Sequence, residues 1–362
     1  YYYSSQPLQS ACMVIDPFTG EIKAIGGAIG EKDRNFGFNY AIDAHRPSGS
    51  SAKPLASYGP AMDLGLITES TLVDDSPDIQ LRGTYWYPRN SGSSYDGIIT
   101  IWDALVRSKN TVAAQIIDKL TPSVSFEYLT ERMGFQLVEA DRDYAPLALG
   151  QFTYGVTVRE MAQAYTSFPN DGEMTYARSY SLITDSNGNT VLENGMRTSH
   201  VFSVDTARCM TEMLEAAAWY GTGYEVYLGY GKMPVAGKTG TTSDDYDRWF
   251  CGFSPYYVTA VWTGYDSPAP MYYSGNPAAQ IWRRIMSQII EPLPVIQFND
   301  PTNRGYDTGI FGDLETTPEP TPVPTATPAP TEAPTPEPTV EPTPAPTDEP
   351  QRIPLAPSTP EE

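Results

Sequence analysis

Three short patterns in this chain supply the groups needed for serine acyl transfer without a histidine. Ser50-Ser-Ala-Lys53 sets a hydroxyl and an amine three positions apart, Ser108-Lys-Asn110 adds a second hydroxyl and a carboxamide, and Lys238-Thr239-Gly240 adds a second amine. A serine hydroxyl is a weak nucleophile at neutral pH and needs an adjacent base. Side chains at i and i+3 of a helix share a face, so Lys53 is placed to take the Ser50 proton. A lysine shut away from water beside another cation loses proton affinity and can serve as that base. Ser108 would relay the proton, and Asn110 would hold Lys53 and a substrate amide. Lys238 would add positive charge, Thr239 would bind a substrate carboxylate, and Gly240 would clear space for the substrate. The backbone N–H groups of Ser50 and Thr241 would form an oxyanion hole.

Each pattern alone is weak, since an S-x-x-K is expected about once by chance in a chain of this size. Here Lys53 is the only lysine with a serine three positions before it, and Lys238 alone begins a K-T-G. Of two S-x-N tripeptides, at Ser108 and Ser274, only the first falls between the other motifs. The ordered set is far more specific than its parts. Neighbouring features read more blandly: Pro88-Arg-Asn90 as a turn, Lys109 as a solvated side chain, and Asp247-Arg248-Trp249 as a strand start with Trp249 in the core.

These groups need a scaffold. ACMVID and EIKAIGGA around the turn Pro17-Phe-Thr-Gly20 predict a two-stranded hairpin. The stretch from the two serines to Gly65 predicts a helix that opens at Ser50, with Pro54 tolerated in its first turn. Helical patterns flank Lys109-Asn110, and further helices are expected over TVREMAQAYTSF, SVDTARCMTEMLEAAAWY and AAQIWRRIMSQII. A second hairpin is expected around Asn187-Gly188. KMPVAGKTGTT, DRWFCGFS and YYVTAVWTGYD predict three strands in succession. Together these imply an α+β fold: a five-stranded antiparallel sheet in which the first and last segments meet, flanked by helices, with an all-helical second lobe. A groove between lobe and sheet edge is the natural substrate site.

Composition limits the rest. The 362 residues carry a net charge of −21, which argues against a nucleic-acid partner. Two histidines and three scattered cysteines (Cys12, Cys209, Cys251) suit neither a metal site nor a Ser-His-Asp triad, so no metal or cofactor is expected. Sixteen of the 34 prolines fall in the last 47 residues, within repeats such as TPEPTPVPTATPAP. Such a segment cannot bury a core and reads as an extended spacer, with cell-wall contact or sugar attachment as the alternative. The expected division is a catalytic domain over 1–300, a linker over 301–315 and a disordered tail over 316–362.

MVIDPFTGEIKAIGG, NYAIDAHRPSGSSAKPLASYGPAMDLG, LALGQFTYGVTVREMAQAY and AGKTGTTSDDYDRWFCGFSPYYVTAVWTGYD resemble the transpeptidase domain of class A, bifunctional penicillin-binding proteins over about residues 8–298. One departure is Ser48, where glutamine-proline is more usual. The resemblance implies the serine β-lactamase and penicillin-binding transpeptidase fold, and a donor stem peptide ending in D-Ala-D-Ala. It implies an amine acceptor, covalent inhibition by β-lactams, and a place on the extracytoplasmic face of a bacterial, Gram-positive membrane. A glycosyltransferase domain and membrane helix are expected upstream of this segment. No E-x-x-L-N run lies between Asn110 and Lys238, which argues against a class A β-lactamase. A D,D-carboxypeptidase and a penicillin-sensing domain remain the alternatives.

Overall fold

The computed structural model describes residues 6–31, 35–305, 309 and 311. Tyr1-Tyr2-Tyr3 and the Pro/Thr-rich tail lie outside them. Strand β1 (Leu8–Ile15) turns at Gly20 into β2 (Ile22–Gly26), the expected hairpin. Two-stranded ribbons follow within the helical part of the chain: β3 (Leu72–Asp75) with β4 (Gly97–Thr100), β5 (Glu173–Thr175) with β8 (Thr198–His200), and β6 (Leu182–Thr184) with β7 (Thr190–Glu193). Only the β6–β7 hairpin has a local turn signature, Asn187-Gly188. The second lobe is therefore helical with added ribbons, and β3–β4 proves to matter for the site.

The last strands are β9 (Ala236–Thr241), β10 (Asp247–Phe253) and β11 (Val258–Tyr265). They join the first hairpin in one sheet of order β2-β1-β11-β10-β9, with Leu8 opposite Tyr265 and Ile15 opposite Val258. The K-T-G strand β9 is thus the free edge, paired only through Cys251 opposite Lys238 and its neighbours on β10. Every residue of β11 is buried, because both faces of the sheet are covered. One face meets the helical lobe. The other takes α8 (Pro277–Ile290), whose Trp282 packs edge-on against Phe250 and donates from Nε1 to Thr259 O at 2.9 Å.

The lobe contains α1 (Gly59–Asp63), α2 (Ile101–Val106), α3 (Asn110–Leu120), α4 (Pro122–Glu127), α5 (Tyr144–Leu149), α6 (Val158–Tyr165) and α7 (Val204–Trp219). Their starts follow cap chemistry readable in the sequence. Thr157 and Glu160 form a reciprocal capping box at α6, and Ser203 accepts from Thr206 N at α7. Of the residues expected as a linker, several of the described ones contact the domain. Thr302 Oγ1 donates to Asp205 at 2.8 Å, Arg304 grips Glu212 in two bonds of 2.5 and 2.6 Å, and Phe311 is buried. Among the described residues, no helix is long and apolar enough to cross a membrane.

Candidate active site

The stretch from Ser50 was expected to open as one α-helix and does not. Gly49–Ala52 is a 3-10 turn, Pro54–Tyr58 is a π-turn, and α1 follows. Pro54 explains the change of pitch. It has no N–H for the Ser50 carbonyl, so Lys53 N donates there instead, one residue early. In a 3-10 turn, i and i+3 eclipse, so Ser50 and Lys53 are aligned more closely than an α-helix would align them.

The turn is held from several sides. Ser51 Oγ donates to Ser48 O at 2.7 Å, Tyr165 OH to Ser51 O at 2.7 Å, and Trp249 Nε1 to Pro47 O at 2.9 Å. Gly49 N donates to Gly150 O at 3.1 Å. Gly240 was expected to clear room for substrate, and the geometry corrects this: a Cβ there would stand 2.2 Å from Ser48 O. Its lack of a side chain lets the Gly49–Ala52 turn lie on β9. Gly150 ends α5 with φ 66°, and a Cβ there would stand 2.1 Å from Gly49 O. Gly150→Ala is expected to cost about 3 kcal/mol or more, from left-handed strain plus backbone collision. A thermal midpoint within a degree or two of wild type would refute that reading of the contact.

Lys53 and Lys238 are completely buried, whereas Ser50, Thr239 and Thr241 are partly exposed. Lys53 Nζ donates to Asn110 Oδ1 at 2.6 Å and to Ser108 O at 2.7 Å, with Ser108 Oγ at 3.4 Å. Asn110 Nδ2 donates to Arg89 O at 2.7 Å, which fixes the amide so that its oxygen faces Lys53. Lys238 Nζ stands 2.8 Å from Ser108 Oγ, so that hydroxyl lies between the two amines. Among the described residues neither lysine is paired with a carboxylate. Burial pushes Lys53 well below its ordinary pKa, and the charge of Lys238 pushes it further. Burial alone lowers Lys238 to about 7.

A neutral lysine has two N–H bonds and one lone pair. At Lys53 both hydrogens have carbonyl-type acceptors, which leaves the lone pair for a hydroxyl proton. Ser50 Oγ makes no hydrogen bond among the described residues. Thr239 Oγ1 lies 3.0 Å from Thr222 Oγ1, which itself stands 3.5 Å from Lys238 Nζ. The Thr241 backbone passes the Gly49–Ala52 turn closely: a Cβ on Gly49 would meet Thr241 O and N at 2.5 and 2.9 Å. Thus Lys53, Ser108, Asn110 and Lys238 form one hydrogen-bonded cluster. Ser50 and Thr241 lie beside it.

Other residues had no signal in the sequence. Lys109 is not solvated: it is buried and ion-paired with Asp75 at 2.8 Å and Asp96 at 2.6 Å. The Pro88-Arg-Asn90 stretch is more than a turn. Asn90 Oδ1 accepts from Asn110 N at 2.7 Å and Thr111 N at 3.3 Å, capping α3 from a distant loop. These partners come from the β3–β4 ribbon and the loop within it, and no spacing rule links them to Ser108. Asp247 behaves as expected, accepting from Trp262 Nε1 at 2.8 Å, and Trp249 is core. No cluster of metal-ligating side chains occurs among the described residues.

An antiparallel sheet whose edge strand brings a K-T-G lysine to an S-x-x-K turn and an S-x-N loop defines the histidine-free serine acyltransferase class. Residues 10–287 match the penicillin-binding protein transpeptidase domain, and the chain belongs to that family. It is 38% identical over 303 residues to penicillin-binding protein 1A of Clostridium acetobutylicum, covering 81% of this chain and 37% of that protein. It is 33% identical to penicillin-binding protein 4 of Bacillus subtilis, covering 76% of this chain and 43% of that one. The solved penicillin-binding protein PonA1 of Mycobacterium tuberculosis aligns with a TM-score of 0.69 at 25% identity, covering 88% of this chain and 87% of that one. The chain spans little more than a third of the first two clostridial relatives' length.

Proposed function

We propose that this domain is a peptidoglycan D,D-transpeptidase, in which Ser50 is acylated by a stem peptide ending in D-Ala-D-Ala. Lys53 takes the hydroxyl proton as Ser50 Oγ bonds to the penultimate D-Ala carbonyl carbon. The N–H groups of Ser50 and Thr241 receive the oxyanion. The C–N bond to the terminal D-Ala then breaks, and its nitrogen leaves with a proton delivered through Ser108 from the lysine pair. An acceptor amine attacks the ester, its proton returns through the same groups, and Ser50 is released. Asn110 and Thr239 hold the substrate's amide and carboxylate.

The single observation that carries this reading is the Lys53–Ser108–Lys238 chain of hydrogen bonds, sealed from water beside an accessible serine. PonA1 of Mycobacterium tuberculosis has also been solved in complex with penicillin V, which supports β-lactams as ligands of this site. The class A likeness supports an upstream glycosyltransferase domain and membrane anchor, and a place on the outer face of a Gram-positive membrane. The tail would space the domain within the wall.

Turnover of a D-Ala-D-Ala peptide with an added amine tests the proposal. Cross-linked product is expected. Release of D-Ala by water alone would make it a carboxypeptidase, and acylation without turnover would make it a sensor. Lys238→Met is expected to lower the acylation rate by about 10²–10³-fold, from lost electrostatic stabilisation and proton delivery. The same change removes a buried amine that has no counter-charge, so the thermal midpoint is expected to rise. A variant that unfolds would show Lys238 to be structural.

A further inference from the structure

The middle residue of the S-x-N tripeptide is bonded away from the lysine pair. All three protons of the Lys109 ammonium have acceptors: Asp75 Oδ2 at 2.8 Å, Asp96 Oδ2 at 2.6 Å and Ser94 O at 3.2 Å. Asp75 has no exposed surface, and its other oxygen accepts from Asn90 Nδ2 at 2.5 Å and from Thr111 Oγ1. Burial pushes the Asp75 carboxyl up, and the bonds from Lys109, Thr111 and Asn90 more than offset this, leaving it below its ordinary value. The pair therefore stays charged at neutral pH.

What this pair holds is unusual backbone. Ser108 N donates to Leu105 O at 3.0 Å and Lys109 N to Ala104 O at 2.9 Å, the double closure of a Schellman helix end. Ser108 occupies the position that normally takes glycine, with φ 61°. A serine there costs about 1–2 kcal/mol, which the surroundings must offset. On the other side, the Asn90 amide fastened to Asp75 caps α3 at Asn110 and Thr111.

We propose that the buried Lys109–Asp75 pair is a positioning device for acyl transfer, holding Ser108 in its left-handed conformation and, through Asn90, fixing Asn110 against Lys53. Lys109 touches no reacting atom. It acts through its two neighbours. Asp96 assists from the partly exposed side, and its contact explains why the amine sits at the interface of ribbon and helix. This inference rests on the acyl-transfer reading. A buried ion pair can also be indifferent to function, because desolvation offsets most of its attraction. The two roles differ in what they move.

The test uses the full chain and a fluorescent penicillin, separating the dissociation constant of the first complex from the acylation rate constant. Lys109→Met alone would strand the buried Asp75 charge. The double variant Asp75→Asn/Lys109→Met removes both charges. Its acylation rate constant is expected to fall about 100-fold, the scale of an ångström-sized misplacement, with a much smaller rise in the dissociation constant because Asn110 also holds the substrate amide. The acid limb of its pH–rate profile is expected to move upward, because a loosened cluster admits water to Lys53, which faces Lys238 as its charged neighbour. Asp96→Asn, at a side chain 28% exposed, keeps the fold and is expected to lower the same rate constant less. Folded variants that acylate at the wild-type rate overturn the proposal, as does a loss confined to thermal stability. Wild-type protein that takes no label overturns the acyl-transfer reading itself, and the inference falls with it.

Discussion

Replacing Lys53 by methionine is expected to slow acylation of Ser50 by a β-lactam by about 10²–10⁴-fold, the usual contribution of a general base, while the protein stays folded. Among the described residues the amine has no carboxylate partner, and it has no exposed surface, so methionine fills its space with little loss of packing. Stopped-flow labelling with a fluorescent penicillin measures the rate. In the wild type the rate should rise with pH through the lowered pKa of Lys53, since only the neutral amine accepts a proton. That limb should vanish in the variant. Stability should respond in the same window. The folded pKa of each lysine lies below the unfolded value of about 10.4, so the unfolded chain binds more protons between the two values. These groups therefore make stability rise with pH from near 7, where Lys238 titrates, towards 10; below the folded value both states are protonated and Lys238 adds no further pH dependence. Lys53→Met should flatten the slope. A variant that labels as fast as wild type would remove Lys53 from the chemistry.

Ser50→Ala is expected to abolish covalent labelling altogether, the largest effect of any substitution considered. The attacking oxygen is gone, and Ser51 cannot replace it: its hydroxyl is buried and donates to Ser48 O. Ser50 Oγ makes no hydrogen bond among the described residues, so its loss should change folding stability by less than about 1 kcal/mol. The variant should still bind a D-Ala-D-Ala peptide reversibly. Residual labelling at the wild-type rate would mean that another residue is the nucleophile.

The three motifs were legible because each combines short-range spacing with reactive residue types, and because their order along the chain is itself information. The sheet was legible too. Short runs rich in apolar and β-branched residues in β1, β10 and β11, bounded by turns, leave few ways to pair them other than in one sheet. What could not be read depends on long-range contacts or on backbone detail. The change of pitch at Pro54 required knowing that Ser50 O would turn to Lys53 N. Gly240 looked like a gap for substrate until Ser48 O was found beside it. Lys109 looked solvated because nothing local marks Asp75, far back in the chain on a ribbon without a hairpin signature. The packing of residues 301–305 was hidden by their polar composition, although Arg304 finds Glu212 and Glu69 on the domain surface.

The most direct test of the central claim is mass spectrometry of the protein after incubation with a penicillin, first intact and then digested. The intact chain should gain one penicillin mass, and the digest should place it on Ser50, with no gain in Ser50→Ala. An adduct on Ser51, Ser108 or any other residue, or none on the wild-type protein, would contradict the account.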